Sequence, residues 1–382
     1  YMKDIMLFIG SVLVPAKRTI LVILLLVMLV LIGFVGRQYI METVLPTIEL
    51  SENKEELVDV PQEGISEETL QILVEGITGN LIVDAAGPRT ENTRSTSVYD
   101  INPGNPADVR LVLQDGLNFN FKPVTTNTGV AIQYIASLKR SVPVTYDLET
   151  QKPSALPVAD GYQARSFFAS SFENWYAGDV YRVDVPRAER MNLESWQVVV
   201  LNPVTEEQIT IENASSPQWL NDSDDVVYIK ADGVYRFNFF SGTEERIVDT
   251  YTDLTANAQL AIDTQSRHLV LTIPSSNTMA VFEITDARAA ELNELNQIFS
   301  MEYRFYSPVF SPDGTYFAVV QNDLSDFNPV TGVYAENNIA IYTPGYEGAL
   351  IILPITELAG TDITVTDWTD IELQIPDANP QI

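Results

Sequence analysis

The 382-residue sequence predicts an all-β fold, a six-bladed β-propeller, behind one N-terminal transmembrane α-helix. Three observations carry this expectation. A Ser-Pro stretch with an aromatic residue, a polar corner and an apolar strand recurs along the chain. Alternating hairpins follow its copies at regular intervals. An uncharged apolar run stands apart near the N-terminus.

That run reads TILVILLLVMLVLIGFV from Thr19 to Val35, before Gly36 and Arg37. About 17 to 25 apolar residues suffice for a helix to cross a bilayer. A helix in a soluble core would carry a polar stripe, which this run lacks. Residues 19–36 are therefore expected to span a membrane. Lys17 and Arg18 precede the run directly, with Lys3 further back. Positive charge on that side places the N-terminus in the cytoplasm and the C-terminal part outside it, periplasmic or extracellular. A cleaved signal peptide would show a shorter apolar core, about 7–15 residues, and an Ala-x-Ala-like site. Residues 1–18 include IMLFIGSVLVP, too short to span, ending at the helix-breaking Pro15. This lead is either extended on the cytoplasmic side or a second helix at the interface.

Residues 37–77 read as an acidic linker, with METVLPTIELSENKEELVDVPQEG as a Pro-punctuated stalk. A short helix is expected in SEETLQILVEGI. Ser66 is its N-cap, and Glu67 and Glu68 lie in the first turn, where the helix dipole favours them.

The repeats begin with the best copy, SPVFSPDGTYFAVV at residues 307–320. SPQWLNDSDDVVYI at 216–229 matches it position for position: Ser216-Pro217 for Ser307-Pro308, Trp219 for Phe310, Asp222 for Asp313. Weaker copies are AQLAIDTQSRHLVLTI, with Asp263 in the corner position, and KPVTTNTGVAIQYI, read with a Gly corner. VTDWTDIELQI puts Trp368 in the aromatic slot. Six hairpins follow, beginning near Ser97, Pro143, Gln197, Gly233, Met279 and Ile339. Their alternation marks half-buried strands, and Asp232-Gly233 marks a tight hairpin. Four strands per period of about 40–50 residues is the pattern of propeller blades.

On these residues the chain resembles the TolB-like propellers, built on a WD40-like repeat whose core reads Ser-Pro-x-Phe/Trp-Ser-Pro-Asp-Gly before an apolar strand. Residues 307–320 fit closely, 216–229 well, and 122–135 and 254–273 loosely. The resemblance covers residues 78–382 and leaves out the apolar run and the linker. It implies six blades. In the first, GNLIVDAAG and SVYDIN supply only later strands, so VTDWTDIELQI is expected to complete it and close the ring. Seven blades are the alternative, because residues 157–196 are long for one repeat.

Charge and composition bound the chemistry. Lys+Arg number 22 against 52 Asp+Glu, a formal charge of −30. Such a surface repels phosphate backbones, so nucleic acid is not an expected partner, whereas basic partners and cations suit it. Cysteine is absent, which removes disulfides, thiolate nucleophiles and Cys-ligated metals. There is no Gly-x-Ser-x-Gly elbow. The single histidine, His268, sits in SRHLVL at a strand edge, with neither nucleophile nor orienting acid suggested beside it. The cluster Asn221-Asp222-Ser223-Asp224-Asp225 could hold a hard cation, but the repeat alignment makes it a blade corner. The patch SFFASSFENWY, with Phe167, Phe168, Phe172, Trp175 and Tyr176, reads as core or, where exposed, as a docking surface.

No catalytic residue, cofactor-binding residue, cofactor or metal ligand is therefore expected. The expected function is a membrane-anchored, non-catalytic binding or scaffold propeller, an accessory subunit of a larger membrane complex. The alternative is an enzyme or ligand sensor using the central funnel. A filament-forming surface subunit is a third reading.

Overall fold

The computed structural model describes residue 73 and residues 75–86, 96–106, 108–116, 118–170, 174–220, 224–286, 291–328, 333–334, 337–346, 348–354 and 362–375. The expected membrane helix at 19–36, the lead at 1–18 and the stalk lie outside these residues, as do Phe172 and Asn221-Asp222-Ser223. Of the expected short helix, Leu73, Glu75, Gly76 and Ile77 are described: Leu73 and Glu75 are helical, Gly76 is a turn residue and Ile77 lies past the helix. Among the described residues, no helix is long and apolar enough to cross a membrane.

Every blade is a four-stranded antiparallel sheet. Blade one takes β1 (Asn80–Ala86), β2 (Thr96–Ile101) and β3 (Val109–Gly116) from the start of the domain. Blade two is β4 (Asn118–Pro123), β5 (Thr128–Ile135), β6 (Arg140–Asp147) and β7 (Lys152–Ala155). Blade three is β8 (Tyr162–Ala169), β9 (Tyr176–Arg182), β10 (Trp196–Asn202) and β11 (Glu207–Glu212). Blade four is β12 (Ser215–Leu220), β13 (Asp225–Lys230), β14 (Gly233–Asn238) and β15 (Thr243–Val248). Blade five is β16 (Gln259–Ile262), β17 (His268–Ile273), β18 (Thr278–Asp286) and β19 (Glu291–Phe299). Blade six is β20 (Tyr303–Phe310), β21 (Phe317–Asp323), β24 (Asn338–Tyr342) and β25 (Ile351–Pro354). A two-stranded hairpin, β22 (Phe327–Asn328) with β23 (Val333–Tyr334), is inserted in blade six. The last strand, β26 (Asp362–Thr369), pairs with β1 and supplies the inner strand of blade one.

The inner strands touch in the cyclic order β4, β8, β12, β16, β20, β26 and back to β4, so the sheets form a closed ring of six blades. Radial repetition leaves each sheet only an inner edge on the channel and an outer edge at the rim. The six hairpins read from the sequence are the two outer strands of the six blades.

Among the described residues there is no seventh blade. The long segment 157–196 holds β8 and β9 of blade three, and its extra length is an excursion with two short 3-10 turns, Arg187–Glu189 and Leu193–Ser195, which carry the chain from β9 to β10. The Trp196 indole N–H fixes this excursion by donating to the Arg190 carbonyl at 2.6 Å.

The core is divided among the seams. Phe121, Val142 and Val144 fill the seam between blades one and two, and Phe167, Val180 and Val199 the next. Phe310, Phe317 and Val270 join blades five and six, while Tyr316, Val365 and Trp368 join six and one. Each blade therefore buries both faces, and strands such as VVYI and FAVV read as continuous apolar runs. The glycine read as a corner in KPVTTNTGVAIQYI is instead a strand residue. Gly129 lies in β5 under the Phe121 ring, 2.4 Å from where a Cβ would stand, and Gly178 lies in the same way under Phe167.

Candidate functional site: the mouth of the central funnel

Three of the inner strands share a local irregularity that shapes the channel. β4 bulges between Phe119 and Lys122, β12 between Ser215 and Gln218, and β20 between Tyr306 and Val309. At these bulges Asn120, Ser216 and Ser307 take φ of 58°, 53° and 53°. A bulge turns its unpaired N–H away from its own sheet. Here the preceding blade receives it. Ser216 N–H donates to the Asp179 carboxylate at 2.9 Å, Ser307 N–H to the Gln259 side-chain oxygen at 2.6 Å, and Asn120 N–H to the Asp84 carboxylate. The recurring Ser-Pro follows from this. The proline after the bulge lies on a strand edge facing the channel, where a missing N–H costs nothing.

Where the inner strands run into their corners, all six enclose a cavity of about 320 Å3. Lys122 from blade two, Phe168 from three, Trp219 from four, Asp263 from five, Phe310 from six, and Asp367 with Trp368 from one line it. A second cavity of about 70 Å3 continues to the bulges and is lined by Asn120, Arg165 and Ser216.

Most charged groups along the channel are committed. Arg165 donates to Asp179 through Nε at 3.0 Å and through a second nitrogen, bonds the Ala256 carbonyl, and lies 4.2 Å from the centre of the Trp196 ring. Asp263 accepts from the Arg267 amide at 2.7 Å and from Arg267 Nε at 3.2 Å. His268 Nδ1 is 3.1 Å from the same carboxylate. Burial raises the Asp263 pKa, but the His268 bond and Arg267 outweigh it and hold the group below its ordinary value.

Lys122 and Asp367 differ. Both are half-buried. The Lys122 ammonium donates to the Thr366 carbonyl and lies 4.0 Å above the Phe168 ring centre. Burial holds its pKa below the ordinary lysine value, against the pull of Asp367 and Asp84. Asp367 accepts the N–H of Trp368 at 2.9 Å, and burial raises its pKa against the pull of Lys122. Among the described residues, no ion pair within 4.0 Å joins Lys122 to a carboxylate.

The sequence candidates sort as follows. Asp313 is a corner-former: it accepts from the Ser311 hydroxyl at 2.6 Å and from the Thr315 amide and hydroxyl at 3.0 and 2.8 Å. His268 does have an orienting acid, Asp263, which the sequence reading missed. Among the described residues no hydroxyl is hydrogen-bonded to its ring, so a nucleophile is not in place. Of the aromatic patch, Phe167 is fully buried, Phe168 lines the mouth, and Trp175 packs on Phe239 at 5.0 Å.

Phe239 in turn meets Trp219 edge-on at 5.9 Å and Phe240 at 4.4 Å. Phe240 is 71% exposed. An aromatic ledge thus runs from the mouth to the tip of the β14–β15 hairpin. Its signal in the sequence was FNFFSG, where alternation breaks into adjacent aromatics just before the turn.

No known family's sequence profile matches the chain, and no curated protein matches it in sequence. Solved structures do. The chain is similar to TolB from Acinetobacter baumannii at 14% identity and a TM-score of 0.54, over 76% of this chain and 66% of TolB. Weaker likenesses include the nidogen/laminin complex, at 7% identity and TM-score 0.48 over 76% of this chain and 100% of that one. Another is oligogalacturonate lyase in complex with manganese, at 11% identity and TM-score 0.46 over 70% and 77%. These last two carry no weight at such scores. The likeness to TolB, with the ring of six blades, shows that the chain has a TolB-like β-propeller fold.

Proposed function

We propose that this propeller is a non-catalytic binding module, held outside the cytoplasm by the apolar segment 19–36 and serving as an accessory subunit of a membrane protein complex. The observation that carries the reading is the aromatic ledge. Phe240 stands 71% exposed on Phe239, beside the funnel mouth of a rigid ring. Exposed aromatic groups on a pre-formed surface are what binding hot spots are made of. The formal charge of −30 suits a partner that surrounds its apolar contact with basic residues. The uncharged run from Thr19 to Val35 supports the membrane attachment.

The test is purification of the full chain from its native membranes in a mild detergent. Membrane subunits co-migrating in fixed stoichiometry are the expected result. A lone monomer that turns over a sugar or an ester would overturn it. A second reading, a ligand sensor, is favoured by the cavity of about 320 Å3 into which all six blades project.

A further inference from the structure

We propose that the funnel mouth binds a small zwitterion, an α-amino acid or similar amino-carboxylate with an apolar side chain, its carboxylate on Lys122 and its ammonium on Asp367. This deepens the funnel reading and does not depend on the membrane reading.

The argument starts from what the mouth leaves unsatisfied. Lys122 and Asp367 face one cavity from adjacent blades, yet no ion pair within 4.0 Å joins them. Lys122 reaches the carbonyl of Thr366, the residue next to Asp367, so the two charges are neighbours without contact. Each has one hydrogen bond of its own, to the Thr366 carbonyl and from the Trp368 amide. Half-buried opposite charges at such a spacing gain most from a ligand carrying both complements, because charge-assisted bonds are the strong ones.

The other channel cations are already engaged, Arg165 by Asp179 and Arg267 by Asp263 and the Asp313 carbonyl. Among the described residues lining the mouth, Lys122 is therefore the cation available to a ligand carboxylate. A simple anion would enter against the field of a chain carrying −30. A simple cation would meet Lys122.

Size and surface fix the rest. The cavity, about 320 Å3, is at the small end of ligand sites, which run from about 300 to 1,000 Å3. That suits a single amino acid better than a chain of them. Phe168 and Trp219 put aromatic surface on the cavity, beside the largely buried Phe310 and Trp368, and Gln218 adds an amide.

The experiment is isothermal titration of the full chain in detergent at low salt with each of the twenty amino acids. The best binder is then compared with its two half-analogues, for phenylalanine 3-phenylpropionate and phenethylamine. At least one apolar amino acid should bind at one per chain, and each half-analogue about tenfold or more weaker, from the loss of one charge-assisted bond. Lys122→Met should erase the preference over the amine, and Asp367→Asn the preference over the acid. Lys139→Met, at an exposed position, should change neither. Saturable binding by none of the twenty, or half-analogues binding as tightly as the whole, would overturn the proposal. The half-analogue comparison needs no variant, so a variant that misfolds does not blunt it. Failure here would leave the co-purification result standing.

Discussion

At the seam between blades three and four, Asp179 is completely buried and fully engaged. It accepts from Ser166 N–H at 3.0 Å, the Ser166 hydroxyl at 2.8 Å, Ser216 N–H at 2.9 Å and the Arg165 guanidinium. At the seam between blades one and two, Asp84 occupies the corresponding place in a second strand and receives the bulge N–H of Asn120. Its other oxygen is buried without a partner, and no arginine reaches it among the described residues. Burial pushes Asp84 up to about 7, more than the Asn120 and Phe121 amides and Lys122 pull it down. The same device thus yields a locked joint in one place and a titrating joint in the other. The difference in geometry is that the Arg165 guanidinium reaches Asp179, whereas one oxygen of Asp84 is buried without a partner. It falls where β26 closes the ring and where Lys122 and Asp367 line the mouth.

The comparison can be broken or sharpened by substitution. Asp179→Ala should cost most, about 3–5 kcal/mol, because it strands a guanidinium inside the ring. Urea unfolding measures it, and a loss under about 1 kcal/mol would show that this joint is not locked. Asp84→Asn should act in the opposite sense. The folded-state pKa of Asp84 is raised, so between its ordinary value and about 7 the folded chain binds the extra proton. Its contribution to stability is therefore full at low pH and is lost as pH rises through that window. Asparagine keeps an acceptor for Asn120 and never ionises. The variant should exceed the parent at pH 8 by roughly 1–3 kcal/mol and match it near pH 4. A constant difference across the range would remove Asp84 from the titrating role.

A smaller effect is expected at the corner of blade six. Asp313→Ala loses the bonds to Ser311 and Thr315 and should cost about 1 kcal/mol in the same assay. Phe240→Ser should shift stability least, within about 0.5 kcal/mol, since the ring stands exposed. A large loss would mean that the ledge serves folding.

What the sequence made legible was the local and repeated chemistry. Ser-Pro before an aromatic marks a bulge with a harmless proline, and six alternating hairpins mark outer strands, so the blade pattern could be read without contacts. The extra length at 157–196 was ambiguous because 3-10 turns capped by Asn192 carry the same polar and apolar mixture as a further strand. Asp263 beside His268 was missed because the pairing depends on the corner's geometry rather than on any motif. Lys122 beside Asp367 was illegible for a stronger reason: ring closure brings together the first complete inner strand and the last strand of the domain.

The central claim is that the mouth-side face of the ring is where this protein binds its partner. The most direct measurement is photo-crosslinking in native membranes from a benzoylphenylalanine placed at Phe240, on the ledge, and at Phe299, exposed at the end of the outer strand of blade five. The account predicts one defined membrane-protein adduct from position 240 and none from 299. Equal labelling from both, or an adduct from 299 alone, would contradict it.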